Sequence, residues 1–167
     1  MNTSALGDTL TTLLGELVDG APTTGAYMLN RGDPGLLRSL DRLSSVDASA
    51  ITPTGSSIAA HADHLRYGLS LMNRWAAGEN PFADADWTAS WRRTAVSEGE
   101  WEALRATLGD EVHRWLATLG TPREVDEVEL NGMIGSIAHL AYHLGAIRQM
   151  DRIARGPTAD EDTPQGR

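Results

Sequence analysis

The chain has 167 residues, 41% of them hydrophobic and 22% charged, a composition that fits one ordinary folded domain and excludes a disordered or fibrous chain. Its 23 acidic residues outnumber the 14 basic ones, for a net charge of -9, which argues against nonspecific attraction to nucleic acid or to an anionic membrane and favours a small-molecule or protein partner. Every basic residue is arginine and there is no cysteine, so Schiff-base lysines, phosphate-loop lysines, disulfides, zinc-thiolate sites and cysteine nucleophiles are all excluded.

In chain order, 3-TSALGDTLTTLLGELVDG-20 carries Leu6, Leu10, Leu13, Leu14 and Leu17 at helical spacing and ends on Gly20, which predicts a first helix. Residues 21–35 are rich in Gly, Pro, Thr and Asn and read as a long connection, followed by a short amphipathic piece over 36–44. Ser56 or Ser57 is placed to cap a second long helix with Ile58, Leu65, Leu69 and Met72 on its apolar face, ended by Gly78 and Pro81. A loop with Trp87 and Trp91 comes next. Ser97 and Glu100 then stand in capping-box spacing before a third helix to residue 120, whose stripe of Trp101, Leu104, Leu108, Val112 and Trp115 assigns both tryptophans to the core.

The fourth helix is expected over about 131–155, capped by Asn131 and stopped by Gly156-Pro157. Four substantial helices without a strand predict an all-α four-helix bundle, as one domain over 1–155 with a disordered tail over 156–167. No internal repeat is visible. The start MNTSALGDTL lacks the basic and apolar segments of a signal peptide, and no run approaches about 18 uncharged apolar residues, so a cytoplasmic protein is expected.

Chemistry concentrates in the histidines. In 136-SIAHLAYHLGAIRQM-150, His139 and His143 are four residues apart, which on a helix aims both imidazoles to one side and is a metal-ligand spacing. His61 and His64 lie among core-type residues of the second helix, whereas His113 follows a filled apolar stripe and is expected at the surface. Burying four imidazoles costs desolvation unless something binds them, so spacing alone leaves two readings, a metal site or a hydrogen-bonded structural cluster. A di-iron carboxylate bundle needs Glu-x-x-His, and the residues three before the five histidines are Ile58, His61, Asp110, Ser136 and Leu140.

The run Ser57-Ile58-x-x-His61-x-Asp63-His64-Leu65, followed some 75 residues later by A-H-L-A-Y-H-L-G-A-I, resembles the DinB/YfiT-like superfamily of metal-binding four-helix bundles over nearly the whole chain. The resemblance implies one divalent metal on three histidines, His64, His139 and His143. His64 is preferred to His61 because it stands seven residues after Ser57 and is followed by Leu65. His61 is an additional imidazole one turn earlier, able to act as an outer partner, an alternative ligand or a fourth one. The family's last histidine is often followed by Arg-Gly-Gln; here Leu144, Gly145 and Ala146 follow, which unsettles any substrate contact inferred at that point.

Three neutral imidazoles leave an ion its full charge and open positions, which suits a Lewis acid, with zinc or nickel favoured and manganese or iron compatible. The resemblance implies a metal-dependent enzyme: a transferase of a low-molecular-weight thiol, or a hydrolase or isomerase of a small molecule. The alternative from another class is a non-catalytic bundle that binds a ligand or responds to stress, with structural histidines. Asp63 and Asp151 are candidate outer partners for the imidazoles, Tyr142 a candidate pocket residue, and Arg66 and Arg148 candidates either for a substrate carboxylate or for salt bridges. Trp75, Trp87 and Trp91 could be core, pocket wall or subunit interface, and a homodimer is the expected assembly.

Overall fold

In the computed structural model, which describes residues 4–53 and 55–158, the described residues form six α-helices and no β-strand. They are α1 (Ser4–Asp19), α2 (Gly35–Asp41), α3 (Ser45–Ser49), α4 (Ile58–Ala76), α5 (Glu98–Gly120) and α6 (Glu127–Met150). Each of α1 and α4 packs against both α5 and α6, so the four long helices close in a ring in the order α1, α5, α4, α6. No helix is long and apolar enough to cross a membrane. The part of the expected tail beyond 158 lies outside the described residues.

The apolar stripes read from the sequence face one shared interior. Leu10, Leu14 and Leu17 of α1, Leu65 and Leu69 of α4, Trp101, Leu108 and Trp115 of α5, and Met133, Leu140 and Ile147 of α6 belong to one buried cluster. Trp101 and Trp115 are fully buried, and both indole N–H groups find acceptors, Leu43 O at 2.9 Å and Ser136 Oγ at 2.8 Å. That removes the penalty of a buried, unpartnered donor.

Helix starts follow local chemistry. Ser57, not Ser56, caps α4, accepting from Ala60 N, and Ser97 with Glu100 forms the expected capping box on α5. Two boundaries differ from expectation. Helix α6 begins at Glu127, a turn before Asn131, because Asp126 and Glu129 cap each other's backbone; it ends at Met150 rather than Arg155 because Asp151 is extended. The following chain turns back on the molecule, where Pro157 O accepts from Asn30 Nδ2 at 2.8 Å. The short helix α3, with its own box from Ser44 and Asp47, was not expected.

The connection after α1 has little regular structure but is firmly held. Glu16, itself buried, accepts backbone N–H groups from Tyr27, Met28 and Leu29 at 2.9, 2.7 and 2.6 Å. Gly20 takes φ +108° at the end of α1, and any Cβ there would collide with the Asp33 carbonyl.

Candidate metal centre

Residues 57–65, which hold the first two turns of α4, are all buried, and the 3-10 turn of residues 89–92 closes over them, with Ser90 on His64 and Trp91 on His61. All-round burial is why this stretch holds polar residues that must find partners inside the protein. Asp63 pairs with Arg66 Nε at 2.8 Å and Arg93 Nε at 3.5 Å, which ties the end of the covering loop to α4. A candidate outer partner for the imidazoles, it pairs with these two arginines instead. Asp151 likewise turns away, accepting from Ile153 N at 2.6 Å.

His64, His139 and His143 converge, with one nitrogen from each lying within 4.8 Å of the others. His139 Nε2 stands 3.2 Å from His64 Nε2 and 3.0 Å from His143 Nε2. Two nitrogens bound to one ion at about 2.1 Å, with angles near 90–110°, would be about 3.0–3.4 Å apart. His61 stands behind this group, its Nδ1 2.8 Å from His143 Nδ1 and so on the side of that ring away from the convergence. His113 lies apart and exposed, 3.3 Å from Asp19 Oδ1, as expected.

The hydrogen bonds are compatible with one tautomer of His64 that suits a metal ligand. With its one proton on Trp87 O at 3.2 Å, Ser90 Oγ accepts from His64 Nδ1–H at 3.0 Å. The Nε2 of His64 therefore presents a lone pair to the cluster. Similarly, a donation from His143 Nδ1 to His61 Nδ1 leaves His143 Nε2 with a lone pair facing inward. His139 Nε2 can carry one proton at most, in the ring plane, and cannot satisfy both neighbours. A cation at the convergence could take a lone pair from each of the three, and the outer contacts of Ser90 and His61 are of the kind that orient metal-bound imidazoles.

All four clustered imidazoles are held below their ordinary range. Burial is the first cause in every case, and neighbouring imidazoles add to it at His64 and His143, taking His64 down to about 4 and His143 down to about 3. They are neutral at neutral pH, the form a metal requires.

Aromatic rings enclose the group. Trp91 stacks on His64 with centroids 4.5 Å apart and 28° between the planes, and meets His61 edge-on at 5.1 Å. Trp87 approaches His64 at 6.0 Å, whereas Trp75 packs away from the site against Phe82. Tyr142 is 70% exposed and covers the outer edge of His143 rather than lining the cavity. A cavity of about 360 Å³ opens beside His64 and His139. Arg66 and Arg148 are committed to salt bridges, the latter with Asp33 at 2.5 Å. Ser90 was not expected; one serine between two loop tryptophans carries no sequence signal.

Comparison of the chain with protein-family models, with curated proteins and with solved structures finds no match.

Proposed function

We propose that the protein is a divalent-metal-binding, DinB-like four-helix bundle acting as a metal-dependent enzyme on a small molecule, either as a thiol S-transferase or as a hydrolase or isomerase. The observation that carries this reading is the convergence of three Nε2 atoms of which His139 can satisfy only one neighbour. A purely structural histidine cluster would need a further partner, such as water from the adjoining cavity, for the neighbour that His139 leaves out. His64, His139 and His143 would hold the ion, zinc or nickel ahead of manganese or iron, while Ser90 and His61 orient the rings. Bound there, the ion supplies Lewis acidity toward a water or thiol. With no cysteine in the chain, a thiol would arrive as substrate, and the cavity beside His64 and His139 gives a small molecule access.

A homodimer and a cytoplasmic location belong to the same proposal, on the strength of the exposed aromatics and the sequence reading. The test is metal content by mass spectrometry on untagged protein and its variants. About one ion per chain in wild type, lost in His64→Ala and His139→Ala and retained in His61→Ala, is the expected result. Wild-type protein that takes up no metal on reconstitution would overturn the enzymatic reading.

A further inference from the structure

We infer that the part of the substrate next to the reacting atoms is an uncharged, apolar group, held in the cavity between α4 and α6. This rests on the metal-centre reading for its link to chemistry, but the cavity itself is defined by other residues. Its walls are Leu65, Leu69 and Met72 of α4, Leu140 of α6 and the ring of Trp87, with His64 and His139 present as well. Among the described residues, no charged side chain lines it. The one hydroxyl, Ser136, gives its proton to Met133 O at 2.7 Å and accepts from Trp115 Nε1 at 2.8 Å. Away from the metal, a charged group in this space would lose its water without gaining a partner.

The space is kept open by glycine. Gly68, Gly132 and Gly135 all line the cavity from helix interiors, where glycine is unfavourable relative to alanine. Packing explains Gly132, because a Cβ there would stand 2.5 Å from Trp75 Cζ3. It does not explain the other two. A Cβ on Gly135 meets nothing within 4 Å, and one on Gly68 would be in ordinary contact with Trp87 and His139, at 3.7 and 3.9 Å. A Cβ could be added at either without a clash, and a side chain there would extend into the room a ligand needs. The wall opposite is fixed by the chain's own contacts, since Trp87 rests edge-on against Tyr67, whose hydroxyl accepts from Asp86 N at 2.9 Å. A volume of about 360 Å³ suits a small molecule.

The test titrates straight-chain 1-alkanols, from propanol to octanol, into the full-length protein, zinc-loaded and chelator-treated, followed by tryptophan fluorescence and calorimetry. Affinity should rise about fourfold per methylene until the cavity is filled. In the chelator-treated protein, octanoate and octylamine should bind at least about tenfold more weakly than octanol, because their charges find no partner in the lining. Gly135→Leu and Gly68→Ala should each weaken octanol binding while the melting temperature is maintained. A response independent of chain length, equal binding of the charged homologues to the chelator-treated protein, or wild-type affinity in both glycine variants would overturn the inference. Zinc uptake with a flat alkanol series would sink this inference and leave the metal centre; a steep series in a protein that takes up no zinc would do the reverse.

Discussion

His143 shows how much of the candidate site depends on single atoms, since one ring nitrogen faces His61 and the other faces His139. Outer partners of this kind typically change metal affinity about 10–100-fold, so His61→Ala should retain zinc with affinity lowered by about that factor in competition with a chelating dye. An unchanged affinity would remove His61 from the site. The imidazoles also set a pH dependence. The unfolded chain takes up protons as pH falls below the ordinary 6.5, whereas in the fold His64 waits until about 4 and His143 until about 3. The unfolded state therefore binds more protons in that window. Metal-free protein should have its full stability above 6.5 and lose it progressively down to about 3, as read from urea unfolding at a series of pH values, and His143→Phe should flatten the decline.

Among the elements, the connection after α1 shows that a segment without regular structure can be tightly determined. Burial of Glu16 raises its pKa, but the backbone N–H groups of Tyr27, Leu29 and Met28 together outweigh that and hold it below the ordinary carboxylate value. Its contribution is present above the ordinary value and is lost as pH falls. An amide in place of this carboxylate would keep one acceptor oxygen and turn an NH₂ toward a backbone donor, so Glu16→Gln should lower the unfolding free energy by about 2 kcal/mol in urea at neutral pH. Caps work at the same scale. Asp126→Ala removes an N-cap and should cost about 1 kcal/mol by the same measurement, with no effect on zinc uptake, since Asp126 lies more than three helical turns before His139.

For the whole molecule, the covering loop, α4 and α6 meet at one place, so filling the metal centre should be felt globally. Zinc at a free concentration of about 100 times its dissociation constant should stabilise the fold by about 2.7 kcal/mol. For a chain of this size that raises the melting temperature by about 5–10 °C. Trp91 stacks on His64, so zinc binding should also change tryptophan fluorescence, and Trp91→Phe should abolish most of that change while zinc is still bound. A fluorescence response unaffected in Trp91→Phe would mean that another tryptophan reports the metal.

Local patterns were enough to define the all-α class, the four long helices, the buried pair Trp101 and Trp115, and the shared face of His139 and His143, because a helix's period and caps are local and an i, i+4 pair shares a face wherever the helix goes; the choice of His64 over His61 came from the family resemblance. The capping box of Asp126 and Glu129 was also legible, although the start of the apolar run is the stronger signal and points to Asn131. Contacts between distant segments were decided only in three dimensions. Residues 90 and 64, 93 and 63, 61 and 143, or 16 and 27–29 carry no mutual spacing rule, so Ser90 as the partner of His64, Asp63 as an anchor for the loop, and Glu16 as the hub of the first connection emerge only when the helices pack. The early end of α6 has the same origin, because the chain after Met150 folds back onto Asn30 instead of extending the helix. Helical identity is written in neighbours along the chain, whereas the partners of a buried polar atom are chosen by whichever distant segment covers it.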